Sequence, residues 1–272
     1  MLSRLNKIFS QDAVFYFFLI LLSGLRVITS KVKACPAQFD CESYLAMMQS
    51  IQYDPSIPGH HAMRILPSLL AKAWYNLGFS ATTAFQIVSG SSYCLLGLAV
   101  YWVLRKLNTQ RLLAFAFALL CLAPHHAMRI SLQLVYQSCD MMAYLFTLGI
   151  IYASLKKQRS ENIIFIFSFL GIITRQNLFI LGELSLIYCL FKEFKLKTIV
   201  YSVVLAVSYF SLQIYYQASG VFADLLHPPA GYFTISHLTH IFIESGLLAL
   251  LVPVVPFLLI SFREIFKFFK EN

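Results

Sequence analysis

Long apolar stretches separated by short polar segments dominate the sequence. The stretches cover residues 13–28, 82–104, 112–123, 139–155, 163–193, 198–216 and 241–262. In lipid every backbone amide must be paired within its own segment, and these stretches are too long and continuous for the alternation of barrel strands. We therefore predict an all-α fold: a polytopic helical membrane protein with a single transmembrane domain over residues 1–272.

The stretch at 163–193 is interrupted by the polar sequence "TRQN" at residues 174–177. Between Lys157 and Lys192 lie 34 residues, whereas two full crossings need roughly 40. The segment therefore predicts two short helices or a re-entrant pair. A single long helix would invert the orientation of everything downstream, and the pair keeps the flanking lysine clusters on one side. The total is then about eight transmembrane helices.

Two segments are not predicted to cross the membrane, residues 31–80 and residues 217–240. In the first, apolar residues recur at helical spacing after Glu42, at Tyr44, Leu45, Met48 and Ile51. This pattern is typical of an amphipathic helix that lies on a membrane surface. A second such stretch covers residues 65–77. The first loop is therefore predicted to contain two surface-lying helices.

Composition and charge support the membrane class and add an orientation. Hydrophobic residues make up 59% of the chain and charged residues 12%, which leaves no soluble domain of any size. Cytoplasmic loops retain Lys and Arg, and 14 of the 21 basic residues fall on one predicted face: Arg4, Lys7, Arg105, Lys106, Arg111, Lys156, Lys157, Arg159, Lys192, Lys195, Lys197, Arg263, Lys267 and Lys270. We predict an integral protein of a bacterial inner membrane with both termini cytoplasmic, membrane lipids as partners and no nucleic-acid partner.

The hexapeptide "HHAMRI" occurs twice, at residues 60–65 and 125–130, each time next to a helix on the predicted outer face. Arg binds phosphate oxygens bidentately, so guanidinium and imidazolium groups that converge at headgroup level suit an anionic ligand. With Arg175, the predicted phosphate-binding set is His60, His61, Arg64, His125, His126 and Arg129. The alternative is that each Arg extends to phospholipid headgroups while His tolerates the interface.

The same outer loop carries two acids, Asp40 and Glu42. Both could bind a divalent cation such as Mg²⁺ or Mn²⁺, and a carboxylate there could serve as general base for a substrate hydroxyl. The alternative is structural, since Asp40 also suits the N-cap of the following helix. Cys35 and Cys41 share this loop and could form a disulfide in an oxidising compartment.

Asp140 lies near the outer start of the fourth apolar stretch. An unpaired carboxylate there costs free energy, so we expect a basic partner such as Arg129 or Arg175. A structural ion pair is favoured over a catalytic role.

Some of these features resemble the GT-C class of integral-membrane glycosyltransferases. The resemblance rests on an acidic pair just past the first transmembrane helix, followed by two surface-lying helices with a basic residue and a proline between them. The stretches "MRILPSLLAK" and "GIITRQNLFI" are also similar to the "R-x-L-x-P" and "G-x-x-T-R" patterns of bacterial GT-C-like proteins. The chain is short for the class, which implies a short or divergent member.

The resemblance implies an activity and roles for named residues. Asp40 would match the acid that acts as catalytic base or metal ligand, and Glu42 the second acid of that motif. Arg64 and Arg175 would match basic residues near the lipid-phosphate donor, which in this class is a polyprenyl-phosphate-linked sugar used on the extracytoplasmic face. The chemistry is compatible, because the departing phosphate needs positive charge prepared in advance.

Two other functions are compatible with the same residues. A transporter or flippase of an anionic or lipid-linked substrate would also place charges within and above a helical bundle, with broken helices such as the one at "TRQN". A non-catalytic membrane scaffold would use the basic residues only to bind lipid headgroups.

Overall fold

A computed structural model describes residues 2–33, 41–50, 57–123, 131–155 and 160–216. Its helices are α1 (Leu2–Thr29), α2 (Cys41–Gln49), α3 (Gly59–Ala62), α4 (Ile65–Asn76), α5 (Ala81–Lys106), α6 (Arg111–Leu122), a 3-10 helix (Val135–Gln137), α7 (Cys139–Leu155), α8 (Glu161–Ile172), α9 (Leu178–Lys192) and α10 (Leu196–Tyr215). These ranges contain helices and turns but no strand. The all-α prediction is confirmed for this part of the chain.

Three of the described helical segments are long and apolar enough to cross a membrane: Asp12–Thr29 within α1, all of α5 and all of α10. α6, α7 and α8 are apolar but shorter. These findings are compatible with the predicted integral membrane protein. The predicted crossing at 241–262 and the predicted outer loop at 217–240 lie outside the described residues, so the total of eight crossings stays a prediction.

The interrupted stretch at 163–193 forms two helices, as predicted, and not one long helix. α8 ends at Ile172 and α9 begins at Leu178. A side chain at Gly171 would meet Leu178, and one at Gly182 would meet Ser168. These two contacts step in opposite directions along the two helices, so α8 and α9 form an antiparallel hairpin with closely approaching backbones.

α5 lies at the centre of the described bundle and connects two apolar clusters. Its Tyr93 and Tyr101 pack with α1 and α6, whereas Phe85 and Val88 pack with α2, α7, α8 and α9. On the first side Gly97 leaves room for Leu122 at the end of α6. α1, α4, α6 and α7 therefore pack directly against one long, mostly buried helix.

α5 and α7 run side by side in the same direction. The rings of Phe85 and Tyr136 lie 5.1 Å apart near their first residues, and the rings of Trp102 and Tyr152 lie 4.7 Å apart near their last. Two residues, one on α5 and one on α7, therefore lie at the same level along the bundle if they are equally many residues away from the two members of a ring pair.

One end of the bundle, which we call the basic end, is held by ion pairs between helix termini. Asp12 of α1 accepts hydrogen bonds from the hydroxyl of Tyr101 at 2.6 Å and from Nε of Arg105 and of Arg111 at 3.2 and 3.3 Å. The end of α5 and the start of α6 thus meet at one carboxylate, which ties α1 to both ends of the α5–α6 connection.

A second carboxylate at the basic end joins the start of α8 to the start of α10. Glu161, at the start of α8, lies 3.1 Å from Nζ of Lys195 and 3.4 Å from Nζ of Lys197. Nearby, Lys192 lies over the ring of Tyr188, with 5.9 Å between Nζ and the ring centroid. Basic residues beside aromatic rings are typical of a membrane–water interface.

At the opposite end, which we call the outer end, α2 and α4 cover the two stretches of the predicted first loop, and their position on a membrane surface stays a prediction. The face of α2 that periodicity predicted to be apolar is buried at Tyr44 and Met48. α4 buries Pro67, Ser68 and Ala71, and it leaves Leu69, Leu70 and Trp74 exposed. α2 packs on α4, and α4 packs on α5, so the loop forms a layer attached to the outer end of the bundle.

Candidate functional site

The first element of the candidate site is Tyr44, which α2 carries into the protein interior. α2 begins at Cys41, which is disulfide-bonded. The other described cysteines form no disulfide: Cys94, Cys121, Cys139 and Cys189. The sixth cysteine, Cys35, lies outside the described residues. One turn after Cys41, Tyr44 is only 1% exposed, so the disulfide fixes the end of the helix next to a buried phenol.

Arg64 reaches this phenol from the junction of α3 and α4. Its backbone, at φ −85° and ψ 57°, leaves the helical conformation and separates the two helices. Nη1 of Arg64 donates a hydrogen bond of 2.8 Å to the hydroxyl of Tyr44. The next turn is anchored as well, because the amide of Leu66 donates to the carbonyl of Ile173 at 2.9 Å. The arginine is therefore held between α2 and the α8–α9 turn.

Cys139 continues the contacts on the other side of Tyr44. Its Sγ lies 3.6 Å from the Tyr44 hydroxyl and 3.7 Å from Oδ1 of Asp140. The thiol of Cys139 donates to the carboxylate of Asp140. The hydroxyl of Tyr44 then donates its hydrogen to Sγ of Cys139 and accepts a hydrogen bond from Arg64. Cys139 is 3% exposed, so this link is enclosed by protein.

Asp140 and Arg175 complete the set. Asp140 lies in the first turn of α7, where a carboxylate is favoured by the helix dipole. Arg175 lies in the α8–α9 turn, where its backbone amide donates a hydrogen bond of 2.7 Å to the carbonyl of Gly171. Its Nη1 forms an ion pair with Oδ1 of Asp140. Of the two partners expected for Asp140, the structure provides Arg175.

These five residues form one connected polar cluster, which we call the Arg64–Arg175 cluster: Arg64, Tyr44, Cys139, Asp140 and Arg175. Its interior members are buried, and its charged members are partly accessible, with Arg175 37% and Asp140 25% exposed. Burial, together with the neighbouring Cys139 thiol, raises the pKa of Tyr44 above its ordinary value of 10.0. The phenol therefore remains neutral and keeps a proton to donate.

The height of the cluster along the bundle follows from helix contacts. Twelve residues back from the Trp102–Tyr152 ring pair, α5 and α7 reach Gly90 and Asp140. A side chain at Gly90 would meet Val27 of α1, two residues before the end of the candidate span Asp12–Thr29. At 1.5 Å per residue Asp140 lies about 3 Å inside the end of that span, at the level where the apolar part of α1 ends.

The other residues predicted for the site are distributed differently. Glu42 is exposed in the first turn of α2. His61 is buried, and its ring meets that of Tyr44 edge-on at 6.1 Å. His60 lies on α3, but its side chain is not among those the structure describes. Asp40, His125, His126 and Arg129 lie outside the described residues, so their predicted roles stay predictions.

A divalent-cation site has no counterpart in the part of the chain that the structure describes. No group of three or more His, Cys, Asp or Glu side chains that could hold a metal ion occurs there. Glu42, one of the two predicted ligands, is an exposed side chain. The other predicted ligand, Asp40, lies outside the described residues, so the divalent-cation site stays a prediction.

Tyr44 and Cys139 were missed by sequence reasoning as members of the site. The sequence pattern places Tyr44 on an apolar helix face, and Cys139 is simply the first residue of the apolar stretch 139–155. The available signal was the adjacency of Cys139 to Asp140 in "SCDMM". Nothing in the sequence connects a tyrosine in the first loop with that position.

Comparisons with known proteins add no relative. No protein-family model, curated protein or solved structure matches the chain. The function has to be argued from the geometry of the cluster.

Proposed function

We propose that this chain is a membrane glycosyltransferase of the GT-C type that transfers a sugar from a lipid-phosphate donor on the extracytoplasmic face. The observation that carries the proposal is that Arg64 and Arg175, distant in sequence, belong to one cluster through Tyr44, Cys139 and Asp140. Two guanidinium groups in one cluster near the end of the first candidate span suit a phosphate that gains negative charge as the sugar leaves.

The orientation of the proposed enzyme rests on opposite features of the two ends. The basic end carries Arg105, Arg111, Lys192, Lys195 and Lys197, as a cytoplasmic face should. The outer end carries the disulfide of Cys41, and disulfides persist in oxidising compartments such as a bacterial periplasm. We therefore propose eight crossings, cytoplasmic termini and a bacterial inner-membrane location.

The two loop helices suit a surface position in this scheme. α4 presents exposed Leu69, Leu70 and Trp74 beside its buried face. Such a stripe favours an interfacial location, where apolar side chains enter the headgroup region. The loop would then form a layer at the membrane surface that holds Tyr44 and Arg64 over the donor phosphate.

The proposed base is Asp40, which immediately precedes the disulfide-bonded Cys41 in sequence. In the transfer step, the oxygen of an acceptor hydroxyl bonds to the anomeric carbon of the donor sugar, and its proton passes to the Asp40 carboxylate. The bond between that carbon and the phosphate oxygen breaks, and the lipid phosphate leaves with the electron pair. Arg64 and Arg175 balance the charge that develops on it.

The test is sugar transfer by purified protein in proteoliposomes. A panel of polyprenyl-phosphate-linked hexoses with radiolabelled sugars supplies the donor, and the labelled product is separated from the donor lipid. Asp40→Asn should abolish transfer and Arg175→Ala should reduce it at least tenfold, with both variants folded by size-exclusion chromatography. Glu193→Gln removes a carboxylate that is 62% exposed at the basic end and should leave transfer intact. Unaltered transfer by Asp40→Asn would reject the catalytic role.

A flippase for the same class of lipid is the second candidate, and one observation favours it. Glu183 lies within α9, and its Oε2 is hydrogen-bonded by the hydroxyl of Ser202 on α10. Ionisable groups inside a membrane often mark transport pathways. In the same proteoliposomes a flippase would move the intact labelled lipid to the other leaflet without cleaving it, and Glu183→Gln would slow that movement.

A further inference from the structure

The ion pair between Asp140 and Arg175 differs from the Glu161 pairs at the basic end in the exposure of its carboxylate. Glu161, which binds Lys195 and Lys197, is only 4% exposed. Asp140 and Arg175 are 25% and 37% exposed. Ion pairs that solvent can reach are weak, so this pair can be exchanged for another anion at little cost.

The two partners come from elements that can separate without disrupting a helix. Asp140 lies in the first turn of α7, and Arg175 lies in the five-residue turn between α8 and α9. If the pair opens, Asp140 retains the Cys139 thiol as donor at 3.7 Å and its favourable position at a helix start. Arg175 retains its backbone anchor on Gly171. Opening therefore leaves neither residue without support.

A phosphate is better suited to Arg175 than a single carboxylate oxygen is. In the described structure the guanidinium bonds one oxygen of Asp140 through Nη1 alone, whereas a phosphate accepts two parallel hydrogen bonds from the same group. The pair also lies near one end of the first candidate span, about 3 Å inside it, and an arginine side chain at such a level can extend its guanidinium to the headgroups.

We propose that Asp140 is an exchangeable counter-ion that occupies Arg175 until the phosphate of a lipid headgroup displaces it. Asp140 then limits the affinity of the site for its lipid and keeps the guanidinium oriented while the site is empty. This inference deepens the proposed function, because it rests on Arg175 as the residue that binds the donor phosphate.

The experiment measures binding without requiring sugar transfer. Farnesyl phosphate is titrated into detergent-solubilised protein by microscale thermophoresis, with farnesol and inorganic phosphate as parallel probes. Asp140→Asn keeps the shape of the side chain and one acceptor oxygen, so it should bind farnesyl phosphate at least fivefold more tightly than the unaltered chain. Arg175→Ala should bind it at least tenfold more weakly, and Glu193→Gln, which removes the same charge at the basic end, should not change the affinity.

A weaker or unchanged affinity in Asp140→Asn would overturn the inference, because a purely structural ion pair gives that result. Asp140→Ser, expected to shift in the same direction, serves if the Asn variant is not recovered folded. Inorganic phosphate binding as tightly as farnesyl phosphate would overturn the lipid source of the ligand. If the affinities change as expected but no variant or parent transfers sugar, the counter-ion role stands and the glycosyltransferase proposal fails.

Discussion

The hydroxyl of Tyr44 is the best single position at which to test the Arg64–Arg175 cluster. Tyr44→Phe keeps the buried ring and removes only the oxygen that accepts from Nη1 of Arg64 at 2.8 Å and contacts Sγ of Cys139 at 3.6 Å. A hydrogen bond to a charged group contributes about 1.5–3 kcal/mol, and a buried donor that loses its acceptor costs a similar amount. We expect a loss of about 2 kcal/mol in the free energy of unfolding, or roughly 30-fold in the unfolding equilibrium.

The assay is reversible unfolding by sodium dodecyl sulfate in mixed micelles, followed by far-ultraviolet circular dichroism. The matched control is Tyr136→Phe, which also removes a tyrosine hydroxyl at this end of the bundle. The hydroxyl of Tyr136 has a neutral partner, the hydroxyl of Thr82 at 3.0 Å. That change should cost only about 0.5–1.5 kcal/mol. It should also leave the affinity for farnesyl phosphate unchanged, whereas Tyr44→Phe should weaken it severalfold because Arg64 loses an orienting contact.

A double-mutant cycle isolates the contact itself. Combining Tyr44→Phe with Arg64→Gln should cost less than the sum of the single changes, with a coupling of about 1–2 kcal/mol for a contact of this kind. A coupling below about 0.5 kcal/mol, the scatter seen between independent sites, would refute the reasoning. So would a loss of stability in Tyr44→Phe no larger than that in the Tyr136 control.

Three further outcomes are expected. Gly182→Ala should lower the free energy of unfolding in the same assay by about 1–3 kcal/mol through overpacking, because the new Cβ would lie 2.5 Å from Cβ of Ser168. The control Gly24→Ala should cause no loss, because a Cβ there would have nothing within 4 Å. Alkylation of the denatured chain followed by mass spectrometry should count four reactive thiols before reduction and six after it. The sequence has six cysteines, and four of them form no disulfide. A count of six before reduction would contradict the disulfide of Cys41. Burial raises the pKa of Tyr44 above 10.0, so the part of the folding free energy that depends on its neutral phenol should be complete below about pH 10 and decline at higher pH. If plots of unfolding free energy against pH stay parallel for the parent and Tyr44→Phe from pH 9 to 11, this pKa argument is wrong.

The sequence determined the helices because the information for them is local. An apolar run predicts a helix wherever backbone groups must be paired within one segment, and the predicted run at 139–155 coincides with α7. The polar interruption at "TRQN" likewise predicted the break between α8 and α9, since a charged side chain and polar neighbours disfavour a continued span. The face that α2 buries followed from the spacing of Tyr44 and Met48.

The tertiary structure decided which polar groups meet. From the sequence, Asp140 required a basic partner, but Arg129 and Arg175 were equally available, and only the packing of α7 against the α8–α9 hairpin provides Arg175. Periodicity placed Tyr44 on a buried face, yet its hydroxyl has partners on the α3–α4 junction and on α7. Burial is encoded along one helix, whereas a hydrogen bond between distant segments depends on the relative height and rotation of several helices. Hydrophobic spacing does not specify that arrangement.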